Sequence, residues 1–366
     1  MNSRAQRLAA DLQRLEADFL LVSAPVNVRY LTGYTGSNGL ALISAGATGE
    51  GRFYTDFRYQ TQSAEQVYEY FEREIIAGGD LLEAAAKTLA ATAAGSARRL
   101  GIDEDHLTVK QYERLNELLP DGWELIDCAG AVERLRAVKE PVEVTHIRAA
   151  AELIDDILGW VCEQGVGGHT ERDLAIMIEH EMRVRGAQGP SFPSIVAHGA
   201  HGALPHAEPR DVQITRNALL TIDLGAVLDG YCSDCTRTFA TGEIPPEQSD
   251  VYAIVLTAQQ AALQALRPGM SGSDADAVAR EIICSAGHSE HFGHGLGHGV
   301  GMEVHEGPRL SHTATAQILQ AGNVVTVEPG IYVPDAFGVR IEDLVLITEH
   351  GHERLSHFPK ELLAIS

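Results

Sequence analysis

An α/β domain over residues 1–132, followed by an α+β domain over residues 133–366, is the architecture that the sequence predicts. The length of 366 residues favours two domains. The first third alternates short apolar runs with helical patterns, as α/β domains do. The remainder repeats a helix–helix–hairpin pattern, which indicates one compact domain of two facing halves with internal pseudo-twofold symmetry.

The first domain is predicted to contain five strands separated by helices. The strands are ADFLLVSA, NGLALIS, GRFYTDF, RRLGIDED and WELIDC, and the helices lie near 4–16, 60–70, 80–94 and 107–118. The pattern changes near residue 136, where Lys139-Glu140-Pro141 introduces a long amphipathic helix. We therefore expect the domain boundary close to residue 132.

The second domain contains a repeat in which TIDLG at 221–225 returns as TVEPG at 326–330. Each copy ends an apolar strand, and each is followed by a second strand that carries another acid, Asp234 or Glu342. The helical segments TERDLAIMIEHEMRVRG and SDADAVAREIICSAG lie upstream of the two copies. This repeat is too long for a solenoid unit, so it indicates duplication within one compact domain.

The first hairpin has a predictable register. Asp-Gly at 229–230 favours a two-residue turn, and this turn would pair Asp223 with Thr236. Asp223 and Asp234 then lie on one face as diagonal neighbours, about 7–8 Å apart at the backbone. The surrounding residues are apolar, which makes uncompensated carboxylates costly. We therefore expect the two acids to share a cation.

Four carboxylates and one imidazole are candidate metal ligands. Glu328 and Glu342 occupy the second copy at positions that match Asp223 and Asp234, and a glycine-rich stretch offers one imidazole, that of His294 or His298. These charges would balance two divalent cations, and oxygen-rich ligation favours Mn²⁺ or Mg²⁺ over a thiolate-type zinc site. Mn²⁺ is expected, with Co²⁺ or Zn²⁺ as alternatives. Paired metals typically activate a bridging water or hydroxide.

The stretch FGHGLGHGVG at 292–301 combines five glycines with two histidines four residues apart. A helical zinc motif with this spacing would need Glu at 295, where this chain has Gly. Glycine also costs about 1 kcal/mol per helix position relative to alanine. We expect the glycines to let the backbone approach another group closely, or to adopt angles that are closed to other residues.

Charge and composition exclude some classes of binding partner and indicate a cellular compartment. The formal net charge of −23 disfavours nucleic acid and anionic membranes, which require basic patches. No apolar run approaches the roughly 20 residues of a membrane helix, and the N-terminus lacks the apolar core of a secretory signal. Cytoplasm is the expected compartment. Cys232 and Cys235 should point to opposite faces of a strand, which argues against a metal or redox pair.

The set TIDLGAVLDGYCSD, GHGLGHGVGMEVHE, TVEPGIY and VRIEDLV closely resembles the metallopeptidase family of methionine aminopeptidase, aminopeptidase P and prolidase, with its pita-bread fold. RYLTGYTGSNG at 29–39 and YTDFRY at 54–59 are similar to the creatinase-type domain that precedes the catalytic domain of Xaa-Pro peptidases. The resemblance implies hydrolysis of the Xaa-Pro bond in dipeptides or short peptides by a metal-bridging hydroxide. It also implies a homodimer or larger assembly.

The resemblance implies a ligand set for two metals. Asp223, Asp234 and Glu342 would hold one metal, and Asp234, His298, Glu328 and Glu342 would hold the other. Asp234 and Glu342 would therefore bridge the two ions. Glu328 would also carry the proton of the bridging water.

The resemblance also implies five residues around the metals. His206 would contact substrate, and His305 would hydrogen-bond the scissile carbonyl or the tetrahedral intermediate. His294 matches a histidine that supports the ligands or contacts proline. Arg340 and Tyr332 match the pair that orients the bridging carboxylates.

Three positions depart from the family pattern. His198 and His201 lie where the family has small or polar residues, and we expect them to face solvent in a loop, with a role at the rim of the substrate site as the alternative. Asn27 stands where some relatives carry an acid that helps to move protons. The sequence therefore offers no support for that proton-transfer step.

Several activities share this fold. Dipeptidase and aminopeptidase P activities differ in whether the site admits chain beyond the proline, and the sequence leaves both open. Creatinase-like hydrolysis uses the fold without the metals, and non-catalytic binding modules have lost ligands. The presence of all five predicted ligands argues against these last two alternatives.

Overall fold

The structure, a computed structural model, describes residues 3–46, 51–92 and 98–365. The chain divides into two compact units, Met1–Arg136 and Ala137–Ser366. The predicted boundary at residue 132 falls inside the helix Ala131–Ala137, which ends at this division. No helix in the described ranges is long and apolar enough to cross a membrane.

The first unit is a six-stranded mixed sheet with helices, in the strand order β4-β3-β2-β1-β5-β6. Strands β1, β2 and β3 pair antiparallel, and the remaining pairs are parallel. The strands are β1 Phe19–Val22, β2 Leu40–Ser44, β3 Gly51–Asp56, β4 Phe71–Ile76, β5 Arg98–Ile102 and β6 Trp123–Asp127. The helices are α1 Arg4–Arg14, α2 Pro25–Thr32, α3 Gln60–Gln66, α4 Leu81–Thr92, α5 Val109–Leu118 and α6 Ala131–Ala137.

All five predicted strands of this unit are present, and the four predicted helices correspond to α1, α3, α4 and α5. The last two residues of the helix predicted at 80–94 lie outside the described residues. Strand β4 was not predicted, because it is a sheet edge whose charged side chains hide the alternation. Its Glu72 and Glu74 reach Arg52 on the neighbouring strand. Charged residues on an edge strand are a common protection against aggregation.

The second unit contains two halves, each with two helices followed by strands. The helices are α7 Pro141–Gln164, α8 Glu171–Val184, α9 Pro246–Ala265 and α10 Gly272–Ser285. The strands of the first half are β7 Gly189–Pro190, β8 Ile195–His198, β9 Leu219–Leu224, β10 Ala226–Leu228, β11 Tyr231–Cys232 and β12 Cys235–Ala240. Those of the second half are β13 Gly297–Gly299, β14 Glu306–Leu310, β15 Val324–Val327, β16 Gly330–Val333, β17 Phe337–Arg340, β18 Asp343–Thr348 and β19 Gly351–Arg354.

Each half packs its helices against a sheet. The sheet β12-β9-β8 packs with α7 and α8 in one apolar cluster, and the sheet β14-β13-β15-β18-β19 packs with α9 and α10 in another. The helix α7 begins with Pro141 in its first turn and Glu140 as its capping residue, at the start signal that the sequence predicted. The predicted order of an α/β domain and a two-half α+β domain is confirmed.

The predicted hairpin register is also confirmed. Asp223 pairs with Thr236 in the β9–β12 ladder, and the turn residues Asp229 and Gly230 have φ angles of 51° and 82°. In the second half, Val327 pairs with Asp343, so the acids at 328 and 342 lie just beyond the paired residues. Both hairpins therefore direct acids toward the line where the two halves meet, which is called the seam below.

A buried ion pair joins the two halves behind that seam. Arg237 on β12 is fully buried and donates through Nη2 to Asp343 Oδ1 on β18 at 2.8 Å. The same guanidinium donates to the backbone carbonyls of Phe358 and Pro359. Lys360 and Gln259 donate to the other oxygen of Asp343. Because every charge here has partners, the pair fixes how β12 lies against β18.

The glycines of FGHGLGHGVG allow close backbone packing within the sheet β14-β13-β15-β18-β19. A Cβ atom at Gly297 would lie 2.1 Å from the carbonyl oxygen of Thr326, and one at Gly299 would lie 2.2 Å from that of Gly307. The close approach expected of the glycines is made to neighbouring strands at these two positions. Gly293 differs, because no described atom would lie within 4 Å of its Cβ.

Alanine substitutions within this stretch should separate these roles. We expect Gly297→Ala to lower the free energy of unfolding by about 1–3 kcal/mol, because the sheet must move to admit the methyl group. Gly293→Ala, the matched control, should change it by less than about 0.5 kcal/mol. Urea denaturation of the chelated proteins measures both without a contribution from metal binding. Equal destabilisation by the two substitutions would contradict this packing argument.

Candidate metal centre

Three carboxylates from the two halves meet at the seam. Asp223 is in β9, Asp234 precedes β12, and Glu342 lies between β17 and β18. All three are buried, and each offers an oxygen within 4.8 Å of those of the other two. The backbone N–H of Glu342 donates to the carbonyl of Thr236 at 3.1 Å, which ties the hairpins together at this point.

His298 and Glu328 complete the cluster. The Nδ1 of His298 lies 3.1 Å from the carbonyl oxygen of Gly299, and Nε2 lies 3.2 Å from Glu328 Oε1 and 3.7 Å from Asp234 Oδ2. Since a carbonyl only accepts hydrogen bonds, Nδ1 carries the proton and Nε2 is directed at the carboxylates. Thr326 donates to the same Glu328 oxygen at 3.0 Å.

The electrostatics of the cluster are those of crowded negative charge. Burial and the neighbouring Glu342 raise the pKa of Asp234 well above its usual value. Burial and Glu328 likewise raise the pKa of Glu342. Burial acts in the same direction on Glu328 and is the largest single effect, but His298, His294 and Arg340 together outweigh it and lower the pKa of Glu328 to about 2. Asp234 and Glu342 therefore lack enough nearby positive charge to balance their own.

The hydrogen bonds show that the cluster fits metal ions. Asp223 Oδ2 accepts from Arg340, and Glu342 Oε2 accepts from Thr236. The other oxygen of each, Asp223 Oδ1 and Glu342 Oε1, is buried and accepts no hydrogen bond from any residue in the described ranges. Buried carboxylate oxygens without donors are costly unless a cation binds them. Four carboxylates and one imidazole suit hard or borderline divalent cations.

Arg340 holds carboxylates from both halves. Its Nη2 donates to Asp223 Oδ2 at 2.6 Å, and its Nε donates to Thr236 Oγ1 at 3.0 Å. Thr236 Oγ1 in turn donates to Glu342 Oε2 at 2.7 Å. Arg340 thus orients Asp223 directly and Glu342 through Thr236.

Tyr332 differs from the expectation that it orients a carboxylate. Its hydroxyl accepts from Arg340 Nη1 at 2.8 Å and lies 2.9 Å from His294 Nε2. Among its described hydrogen bonds none reaches a carboxylate. The cause is geometric, because β16 carries Tyr332 alongside β17, where the guanidinium stands between the ring and the acids. Tyr332 therefore supports Arg340 and His294.

The cluster forms one wall of a cavity of about 440 Å³. The lining also includes apolar residues, namely Phe192, Pro193, Ile195, Ala207 and Pro209. Every residue that the sequence predicted for the site lines this cavity: His206, Asp223, Asp234, His294, His298, His305, Glu328, Tyr332, Arg340 and Glu342. A cavity of this size, lined by apolar and polar residues together, suits a small ligand.

Three histidines besides His298 face this cavity. The Nδ1 of His294 lies 2.8 Å from the carbonyl oxygen of Gly295, and burial lowers the pKa of His294. The ring of His305 lies 4.4 Å from that of His298, and partial burial and His298 lower its pKa. His206 lies at the exposed edge. A neutral His305 can donate one N–H, whereas the N–H of a neutral His294 is bonded to Gly295.

One expectation about the departures from the family pattern needs revision. His201 does not face solvent: it is buried, and its Nδ1 lies 2.9 Å from a carboxylate oxygen of Glu171. The 3₁₀ helix Gly199–Ala203 turns it inward onto that acid. The Nε2 of His198 lies 3.0 Å from the carbonyl oxygen of Thr215. Neither side chain lines the cavity.

Asn27 has a local role in the first unit. It is buried, its Nδ2 donates to Glu133, and its Oδ1 accepts from Arg136 Nη1 at 2.8 Å. The amide thus uses a donor and an acceptor in hydrogen bonds within its own unit. A proton-transfer role for this position has no support in these contacts.

Sequence reasoning missed several residues that shape the site. Thr236 could have been found, because the predicted register already placed it opposite Asp223. Thr326 could have been found through its place in the repeated TVEPG segment. The apolar lining of the cavity carried no such signal, because proline and phenylalanine at 192–193 have no periodicity that indicates a binding surface.

The comparisons with known proteins agree over the whole chain. Residues 145–349 match metallopeptidase family M24, and residues 4–138 match the creatinase/prolidase N-terminal domain. A protein named uncharacterized peptidase YqhT from Bacillus subtilis is 41% identical, over 96% of this chain and 97% of its own length.

Two solved structures share the fold. An Xaa-Pro dipeptidase from Bacillus anthracis superposes with a TM-score of 0.93 at 35% identity, and 99% of each chain is covered. An X-Pro aminopeptidase from Thermotoga maritima superposes with a TM-score of 0.87 at 34% identity, with 97% of this chain and all of the other covered. The chain therefore belongs to metallopeptidase family M24, whose members use divalent metals, and it carries a creatinase/prolidase N-terminal domain ahead of the catalytic domain.

Proposed function

We propose that this peptidase hydrolyses the Xaa-Pro bond of dipeptides or short peptides with two divalent metal ions. The observation that carries the proposal is the buried cluster of carboxylates. One oxygen of Asp223 and one of Glu342 in this cluster accept no hydrogen bond from the described residues. The similar structures named Xaa-Pro dipeptidase and X-Pro aminopeptidase support the specificity for proline.

Five residues are proposed to hold the two ions. Asp223, Asp234 and Glu342 would bind one, and His298 and Glu328 would bind the other together with the bridging Asp234 and Glu342. The oxygen-rich set favours Mn²⁺, with Co²⁺ or Zn²⁺ as alternatives. The tautomer of His298, with Nδ1 bonded to Gly299, leaves Nε2 as the ligand atom.

The residues around the cluster are proposed to divide the chemistry. Bound divalent cations lower the pKa of a water molecule and polarise the scissile carbonyl. Glu328 takes a proton from the attacking water and passes it to the leaving proline nitrogen. His305 donates a hydrogen bond to the oxyanion. His206 contacts the substrate, and His294 contacts proline while Tyr332 holds its Nε2 side.

The proposal extends to assembly and location. A homodimer or larger assembly and a cytoplasmic location rest on the resemblance of the N-terminal domain to that of Xaa-Pro peptidases. Light scattering at assay concentration measures the assembly. A monomeric mass with full activity would contradict the first part.

The substrate range is tested with a matched peptide panel in added Mn²⁺. We expect Leu-Pro to be hydrolysed at least roughly tenfold faster, in kcat/KM, than Leu-Ala, because the ring of proline fills a pocket that alanine leaves partly empty. Leu-Pro-Gly, assayed alongside, separates dipeptidase activity from aminopeptidase activity. Equal rates for Leu-Pro and Leu-Ala would contradict the proposed specificity.

Metal removal should destabilise the protein as well as inactivate it. Ligand binding to the folded state stabilises it, by about 2.7 kcal/mol at a hundredfold excess over Kd. We expect chelation to lower the thermal midpoint and abolish hydrolysis, and Mn²⁺ to restore both. In Asp234→Asn, which lacks a bridging carboxylate, the midpoint should respond to Mn²⁺ much less. Unchanged hydrolysis after verified metal loss would exclude the two-metal mechanism.

His298 and His305 should differ in metal content. His298→Ala removes a ligand, so it should lower both metal stoichiometry and rate. His305→Ala should keep both ions and lose about 10²–10³ in kcat, because this donor is matched to the oxyanion. Metal analysis and steady-state kinetics on both variants decide the matter. Metal loss in His305→Ala, with two ions retained in His298→Ala, would reverse the assignment.

A further inference from the structure

One wall of the cavity is the loop from His198 to Arg210. It begins at the end of β8, forms the 3₁₀ helix Gly199–Ala203, and carries Pro205 and His206 into the cavity wall. The side chain of His206 makes no hydrogen bond with any residue that the structure describes, and it is exposed. The position of its imidazole therefore depends on the backbone of this loop.

Glu171, the first residue of α8, joins the two ends of the loop. Its side chain is fully buried. Its Oε1 accepts the backbone N–H of His198 at 2.9 Å, and its Oε2 accepts the backbone N–H of Arg210 at 3.0 Å. One carboxylate thus holds two backbone positions twelve residues apart in sequence.

Two side chains of the loop add to this contact. The guanidinium of Arg210 donates to Glu171 through Nε at 3.1 Å and Nη2 at 3.0 Å. The Nδ1 of His201 donates at 2.9 Å. Burial would raise the pKa of Glu171, but the bonds from Arg210 and the backbone N–H groups lower it below its usual value. The ionised carboxylate therefore accepts from three points of the loop.

The loop is also held from the cavity side, close to His206. Arg340 Nη1 donates to the carbonyl oxygen of Pro205 at 3.2 Å. The backbone of Gly202 packs closely on Gly338. A Cβ atom at Gly338 would lie 1.8 Å from the carbonyl oxygen of Gly202. The loop is therefore held at two points. Arg340 holds it at Pro205, next to His206, and Glu171 holds it at its two ends.

We propose that Glu171 is the positioning residue for His206. By fixing both ends of the loop with one buried charge, it determines where the imidazole lies in the cavity, and His206 contacts substrate from that place. This inference rests on the proposed function, since it assigns His206 a contact with the peptide. Glu171 itself does not line the cavity.

The test is a double-mutant cycle of Glu171→Gln and His206→Ala with Leu-Pro as substrate. The amide keeps the shape, but its NH₂ group faces N–H donors, so one end of the loop loses its acceptor. We expect Glu171→Gln to lower kcat/KM roughly 10- to 100-fold, as small misplacements of a positioned group do. Two metal ions per chain should remain bound. In the His206→Ala background, Glu171→Gln should have little further effect.

Two more variants keep the test decisive. Arg210→Met removes the guanidinium from a side chain that is 47% exposed, and it serves if Glu171→Gln does not fold. Its loss of kcat/KM should be smaller than that of Glu171→Gln and should also vanish in the His206→Ala background. The matched control is Glu181→Gln, which lies on the same helix. Among the described residues, the side chain of Glu181 bonds only to Arg185, so this variant should retain full activity.

The outcomes separate this inference from the proposed function. Hydrolysis of Leu-Pro by the metal-loaded wild type tests the function on its own. If the wild type cleaves Leu-Pro while the effects of Glu171→Gln and His206→Ala simply multiply, the positioning role is wrong. Full activity in His206→Ala, or metal loss in Glu171→Gln, overturns it as well.

Discussion

Arg340 keeps buried carboxylates from two different hairpins at a fixed separation, and the rest of the site depends on this contact. It donates directly to Asp223 and reaches Glu342 through Thr236. A single guanidinium cannot neutralise four acids, so the arrangement leaves oxygens without donors. That imbalance suits the cluster to the binding of cations and distinguishes it from a closed salt bridge.

The scaffold resists the repulsion between the carboxylates because hydrogen bonds join the two halves at the cluster and behind it. Behind the cluster, the buried pair of Arg237 and Asp343 links β12 to β18. At the cluster, the backbone of Glu342 bonds to that of Thr236. Opposing halves are therefore held by hydrogen bonds that do not depend on metal. We infer that such a frame keeps the ligands close together before any ion binds.

Two histidines of the site are placed by backbone more than by their own side chains. His298 is carried by a strand whose flanking glycines let adjacent strands approach within 2.1–2.2 Å of where a Cβ would lie. His206 is carried by a loop whose ends converge on Glu171. In both cases, contacts of the backbone restrict the position of an imidazole. Such packing restricts the motion of the groups and favours a preorganised cavity.

The sequence by itself determined the two-domain architecture, the hairpin register and the set of acids, because turn chemistry and period-two patterning are local. It also determined that His298 belongs with those acids, through the resemblance of whole motifs. Only the tertiary structure decided that Tyr332 supports Arg340, that His201 is buried on Glu171, and that glycines at 297 and 299 face neighbouring strands. These contacts join residues from 8 to 30 positions apart across separate elements, so no local pattern records them.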